Sequence, residues 1–343
     1  MTQRKHFYYV GNEAVGNALA ERLQLAGMRM AGVVEDAEVV FTYCTSQTAI
    51  EDVYMDDGGL IQTARPGTLL IDLSASTPTF ARELNAVAIV SELPAVEAPL
   101  VVVDPTIADA FGKPENLACF VGGEEDDVAE ACELLQIFVG ELNVTGGAGS
   151  AQLARASYTL QATAQIVSAV EADALYRTFR KSSSIYGQVE GNTGAATPLA
   201  EDILKAVWAE RFEGTYTIEM FMAELSAALE AADDVDLILP QAESSLRLLE
   251  LLAVIGGADK APASLSLMYD EEEECAKHGL DWSRAEQYYG TQGQGKGDSD
   301  EDDDYDDFDD YDDFGDDDDF GHNHGYDDDE GFGYSGFGGY SAN

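Results

Sequence analysis

The 343-residue chain has no apolar run near the roughly 18 residues that a membrane-spanning helix requires. Its opening, MTQRKHFYYVGNEAVG, passes straight into a structured pattern, without the apolar core and cleavage site of a secretory leader. A cytoplasmic protein with no membrane partner is expected. Cysteine is scarce, and Cys44, Cys119, Cys132 and Cys275 are far apart with no CxxC pair. That spacing suggests neither a disulfide framework nor a zinc site, and reduced, buried thiols are expected. Outside the C-terminal segment the only histidines are His6 and His278, neither beside a nucleophile or a ligand set. A histidine-based triad or metal centre therefore finds no support, and both side chains are expected at the surface.

Basic residues are the scarcest relative to need: 18 Lys and Arg face 66 Asp and Glu, a net charge of −48. Such a field repels nucleic-acid phosphates and anionic lipids, so no nucleic-acid partner is expected. Residues Thr291 to Asn343 hold 20 of the acids and one lysine, which leaves −29 on the rest. An acidic, lysine-poor body suits high ionic strength, where screening relieves self-repulsion.

With 45% hydrophobic residues the body has a globular composition. The run Phe7 to Val10, ending at Gly11, predicts a buried strand. Ala14 to Ala26 follows as a helix, with Val15, Leu19 and Leu23 spaced four apart on one face. Apolar runs at Val39–Tyr43, Thr68–Leu73, Leu100–Val103 and Leu117–Val121 predict further strands, alternating with helices over Gln47–Tyr54, Thr79–Val90 and Asp126–Val139. This alternation predicts an α/β, Rossmann-like domain over residues 1–147, with a mostly parallel sheet covered on both faces. After the turn Gly146 to Ser150 every patterned segment reads as helix, giving an all-α domain over 148–290. Apolar stripes there, including Met220, Leu225, Leu229, Leu237 and Leu239, read as core or dimer seam. Residues Ser182 to Thr197, rich in Ser, Gly and Asn, read as a loop.

Residues 291–343 are Asp blocks punctuated by Tyr, Phe and Gly, with almost no aliphatic residue to bury, and are expected to be disordered. Such an arm is either a solubilising bristle or a polyanion that captures a basic protein or divalent cations. His322 and His324 could add a metal ligand to it.

The order of segments is more specific than any one motif. GNEAVGNALAERLQLAG, VVFTY, GGLIQTARPGTLLIDLSASTPTFARELNAVA, EAPL and the stretch from FVGGEEDD through GGAGSAQLARASYTLQATA to FEGTYTIEMFMAELSAALEAA follow one another over roughly residues 6 to 289. Together they resemble the β-hydroxyacid dehydrogenase family, which includes 3-hydroxyisobutyrate dehydrogenase and the 6-phosphogluconate dehydrogenases. The resemblance implies a Rossmann domain, a long interdomain helix, an α domain that builds a dimer or tetramer, and NAD or NADP as cofactor.

Position by position the motifs depart from that family. Its phosphate loop is G-x-G-x-x-G, whereas this chain has Gly11, Asn12, Glu13, Ala14, Val15 and Gly16, with Glu13 in place of the middle glycine. These six residues and Ser74, which matches the family's S-T pair, are the candidate cofactor-binding positions. Only 11 residues, Met28 to Glu38, separate Gly27 from VVFTY, so the adenosine side is truncated. Glu35 and Asp36 lie near the distance from Gly16 at which a ribose-binding acid is expected. The substrate clamp D-A-P-V-S-G-G becomes Glu97-Ala98-Pro99-Leu100-Val101-Val102-Val103, which reads as a plain buried strand. The general acid/base lysine corresponds to Leu153, its neighbouring asparagines to Ala156 and Ser157, and a Lys-Asp pair of the α domain to Ala223 and Glu224. No catalytic residue is assigned, because leucine cannot exchange a proton.

Two readings follow. One is a relative that has lost hydride transfer and serves as a binding or assembly protein. The other is an active NAD(P)-dependent oxidoreductase on a small 3-hydroxyacid, with a rearranged site that Lys181 or Tyr158 enters.

Overall fold

In the computed structural model, which describes residues 4–182 and 197–292, the apolar runs become the strands of an eight-stranded sheet. β1 (His6–Gly11) leads through α1 (Glu13–Leu25) and the two-residue β2 (Arg29–Met30) to β3 (Val39–Tyr43). α2 (Gln47–Met55) and α3 (Leu60–Thr63) precede β4 (Leu69–Asp72), and α4 (Pro78–Val90) precedes β5 (Ala95–Glu97). β6 (Leu100–Val102), β7 (Leu117–Gly123), α5 (Glu125–Leu135) and β8 (Glu141–Gly146) complete this half. The strand order is β2-β1-β3-β4-β5-β7-β6, with β8 paired to β7. Pairing is parallel from β2 through β5 and between β7 and β8, whereas β7 runs antiparallel to β5 and β6.

All five residues of β3 and all four of β4 are buried, which is why both read as continuous apolar runs. β2, β5 and β8 give no such run: the first two are two and three residues long, and β8 is largely exposed. Ser46, Thr77, Thr197 and Thr217 open helices by accepting the amide three residues on, from Ala49, Phe80, Ala200 and Met220.

The second half begins with α6 (Ser150–Ser182), a 33-residue helix about 50 Å long. α7 (Pro198–Trp208), α8 (Ile218–Asp233) and α9 (Pro240–Leu252) pack around it, followed by a 3₁₀ stretch over Pro262–Tyr269, α10 (Glu272–Lys277) and α11 (Ser283–Gln292). Leu237 and Leu239 are not part of a helical stripe. They lie in the connection between α8 and α9, where Asp236 takes a positive φ of 55° and Leu237 is exposed.

The expected division at residue 147 separates kinds of element rather than packed bodies. α6 packs on α4, β7 and β8 as well as on α7 and α8, one hydrophobic core runs from Phe7 to Ala285, and the described residues form one compact unit. No single helix among the described residues is long and apolar enough to cross a membrane. The loop expected between Ser182 and Thr197 and the acidic segment 291–343 fall outside the described residues, apart from the last backbone turn of α11.

Candidate functional site: the glycine loop and the start of the long helix

Strand β1 delivers Gly11 to the carboxyl edge of the sheet, where a Rossmann fold binds its nucleotide. Gly11 has φ +127°, and a Cβ there would lie 2.0 Å from the Tyr43 carbonyl oxygen on β3. Gly16 faces the Tyr9 ring, and a Cβ at this position would lie 2.4 Å from Tyr9 Cε1. Both glycines that match the family pattern are thus required by packing of strand and helix, whether or not a ligand is bound.

The amides that would meet a pyrophosphate are already used. Asn12 is the N-cap of α1, and its Oδ1 accepts from the Ala14 amide at 2.9 Å and the Val15 amide at 3.3 Å. Its own amide donates to Tyr43 O at 2.8 Å, and Tyr9 Oη donates to Asn12 O at 2.6 Å. Glu13 is exposed in the first helical turn, so its carboxylate takes up the dipole's favourable position for negative charge. Burial, followed by the proximity of Tyr43 and Cys44, pushes the Tyr9 hydroxyl well above its ordinary pKa, so Tyr9 stays neutral.

Glu35 and Asp36 lie in a 3₁₀ turn that precedes β3, and β1 and β3 are parallel with Phe7 beside Val39 and Gly11 beside Tyr43. These acids therefore sit at the amino edge of the sheet, opposite the glycine loop, and Asp36 pairs with Arg65 at 3.3 Å. A ribose role for either is corrected by this placement. In sequence the spacing looked adequate because the missing second helix brings the acids close to Gly16 along the chain but not in space.

Ser74 is fully buried after β4. Its Oγ accepts the Cys44 amide at 2.9 Å, its amide donates to Asp72 Oδ1 at 3.0 Å, and its carbonyl accepts from Gln152 Nε2 at 3.0 Å. Thr42 Oγ1 donates to Asp72 Oδ1 at 2.8 Å and lies 2.7 Å from Tyr54 Oη. Ser74 is thus a joint between β3, β4 and α6. Burial pushes the Asp72 carboxyl up, and it pushes the Cys44 thiol up to about 12, with Asp72 adding to the latter shift. Cys44 and Cys132 are half-buried and Cys119 and Cys275 fully buried, all as free thiols.

At the start of α6, Glu97 Oε1 accepts the Ala151 amide at 2.8 Å. Burial raises its pKa to about 7, against the opposing pull of the Ala151, Gly149 and Gln152 amides. The adjoining cavity, between Tyr54, Asp72 and Glu97, is only about 20 Å³, room for about one water. Leu100, Val101 and Val102 of the altered clamp are buried in β6.

Leu153, at the lysine position, is 60% exposed, whereas Arg155 two residues on is 2% exposed. Arg155 Nε donates to Leu100 O at 2.9 Å, Nη1 to Thr159 Oγ1 at 2.5 Å, and Nη2 pairs with Glu224. Glu224 also accepts from Tyr216 Oη at 2.6 Å. Burial opposes the charge on Arg155, but Glu224 and then Tyr216 outweigh it and its pKa is raised. The cavity beside Arg155, Tyr216 and Glu224 is again only about 20 Å³, far short of the several hundred that a small-molecule site takes. Tyr158 lies against this network, its hydroxyl raised above its ordinary pKa by burial. The side chain of Lys181 is outside the described residues. Sequence reasoning left the Arg155–Glu224–Tyr216 cluster unread. Its signal was an arginine and a glutamate on otherwise apolar helical faces, eight residues after a tyrosine in the second case.

Residues 6–169 match the model of the NAD-binding domain of 6-phosphogluconate dehydrogenase. An uncharacterized oxidoreductase of Bacillus subtilis is 25% identical over 67% of this chain and 78% of its own. The NAD-dependent L-serine dehydrogenase of Pseudomonas aeruginosa is 25% identical over 69% and 80% respectively. Among solved structures, 3-hydroxyisobutyrate dehydrogenase of Mycobacterium tuberculosis shares the fold with a TM-score of 0.62 at 18% identity, over 78% of this chain and all of the other. The matched domain makes NAD or NADP the candidate cofactor. In the loop as folded here Asn12 caps two of the amides that would receive its diphosphate, and Glu13 brings a like charge beside them. Residues 6–169 thus carry an NAD-binding domain of the 6-phosphogluconate dehydrogenase type, in a chain that shares its fold with 3-hydroxyisobutyrate dehydrogenase.

Proposed function

We propose that this protein has lost hydride transfer and works as a binding or assembly protein on a dehydrogenase scaffold. The observation that carries the reading is the self-capped loop, in which Asn12 Oδ1 occupies the Ala14 and Val15 amides while Glu13 adds negative charge. Leu153 in place of a proton-exchanging lysine, and the buried Arg155–Glu224 pair in a cavity of about 20 Å³, act in the same direction. In this reading the α half carries the self-association surface, with the exposed Val235, Leu237 and Ile238 as its apolar centre, and the protein is a cytoplasmic homodimer. The acidic segment 291–343 serves as the arm for a basic protein or divalent cations.

Isothermal titration of NADH and NADPH into the full chain tests this. No heat at millimolar cofactor is expected, and micromolar affinity would overturn the reading. Replacing Asn12 and Glu13 together by glycine frees the amides and removes the charge, and cofactor affinity is expected to appear in that variant. The second reading, an active NAD(P)-dependent oxidoreductase on a small 3-hydroxyacid, draws on the matched NAD-binding domain and its relatives. It requires cofactor binding by the unaltered chain.

A further inference from the structure

A cavity of about 360 Å³ opens at the far end of α6, between that helix, the end of α7, the 3₁₀ stretch and α10. Its size is in the range of small-molecule sites. Arg177, which lines it, is 27 residues beyond Ser150, about 40 Å along the helix. The cavity is therefore remote from the glycine loop and from the cluster around Arg155.

Two donors in this cavity lack acceptors among the described residues. Ser266 is 1% exposed, and its Oγ has no hydrogen-bond partner there. Arg177 donates from Nε to Asp173 at 2.8 Å and from Nη1 to Asp270 at 2.5 Å, but its buried Nη2 has no partner among them. An unmade hydrogen bond at a buried donor is costly, so a ligand with oxygens that accept from these donors is favoured. Toward solvent the sign reverses. Glu210, Glu271, Glu273 and Glu274 line the cavity, with Lys277 beside them. An aromatic wall completes it: Trp208 is about half exposed, and Phe212 packs edge-on to His278 with 4.9 Å between ring centroids. His278 is thus partly buried against an aromatic ring rather than a plain surface residue.

We infer that this cavity binds a small zwitterion, with its carboxylate on Arg177 and Ser266 and its ammonium end against Trp208 and the glutamates. An anion alone would meet the acidic rim, and a cation alone would leave both donors unpaired. Aromatic faces and carboxylates both favour an ammonium group, quaternary ones included.

The test uses the full chain and glycine betaine as probe, followed by ligand-observed saturation-transfer NMR and by the fluorescence of Trp208. Saturable binding at millimolar probe is expected, with acetate and choline each about tenfold weaker or worse. Ser266→Ala should weaken betaine by at least about tenfold while leaving thermal stability unchanged or raised, because the hydroxyl it removes is unpaired. Trp208→Leu should weaken it about threefold and Trp208→Phe less. Absence of saturable binding, equal binding of acetate or choline, or unchanged affinity in Ser266→Ala would each overturn the inference. None of these outcomes bears on the glycine loop, which the nicotinamide titrations test separately.

Discussion

Replacing Glu97 by glutamine should make this protein's stability less sensitive to alkali, by an amount that the structure sets. Burial raises the Glu97 carboxyl from its ordinary 4.5 to about 7, so the folded state holds this proton more tightly than the unfolded chain does. For such a group the favourable contribution is complete below the unfolded value and is lost as pH rises through the folded one. The span from 4.5 to about 7 corresponds to about 3 kcal/mol lost between about pH 4 and pH 8. Glutamine keeps an oxygen for the Ala151 amide and has no proton to lose. Whatever constant cost its amide nitrogen adds in place of the unpartnered Oε2 drops out when variant and parent are compared across pH. Urea unfolding of both proteins at a series of pH values gives the comparison directly. The variant should gain about 3 kcal/mol on the parent between about pH 4 and pH 8. A stability difference that stays constant over that range, or moves the other way, would refute the assignment of the proton to Glu97.

Arg155→Met leaves the Glu224 carboxylate buried without its cation and should cost about 3–5 kcal/mol in urea unfolding, whereas Arg155→Met with Glu224→Met should recover much of the loss. Gly11→Ala forces a side chain to φ +127° and into the Tyr43 carbonyl, so it should destabilise the fold by at least about 2 kcal/mol in the same assay, with no nucleotide present. With a net charge of −48, thermal midpoints should rise as KCl goes from about 0.1 M to about 1 M, over which the Debye length falls from about 10 Å to about 3 Å. A midpoint that falls over that range would remove the argument for adaptation to high ionic strength.

The strands legible in the sequence are those buried on both faces, such as Val39–Tyr43 and Leu117–Val121, because burial imposes a continuous apolar run. β8 was not legible, since its residues are mostly exposed and it owes its place to pairing with β7. The first helix was legible through the spacing of Val15, Leu19 and Leu23, whereas its Asn12 cap is a feature of the structure. What the pattern could not say is that this cap would consume the amides on which the nucleotide site depends. Spacing along the chain likewise put Glu35 and Asp36 at a ribose-like distance, and the sheet places them at its opposite edge. The cavity near Ser266 joins four segments between residues 177 and 278, a convergence that no local pattern encodes.

A glycine fingerprint joins two demands that this chain separates. Its first and third positions serve the backbone: Gly11 clears the Tyr43 carbonyl and Gly16 clears the Tyr9 ring. The middle position serves the ligand, through close approach to a pyrophosphate, and only there has the glycine been replaced. The same separation runs along α6. Arg155 faces inward and ties β6 to α8, whereas Leu153 on the opposite side is 60% exposed and has no group that exchanges a proton. A chain under continuing demand for hydride transfer would hold both sets of positions, and one under demand for the fold alone would hold the packing set. Leu153→Lys added to the Asn12 and Glu13 glycine variant therefore separates two explanations of the proposed loss of hydride transfer. Turnover of a 3-hydroxyacid with NAD or NADP in that variant would mean that the scaffold remains competent and only the ligand-facing positions have changed. Cofactor binding without turnover would mean that the Arg155–Glu224 cluster, which fills its surroundings to about 20 Å³, also excludes the substrate.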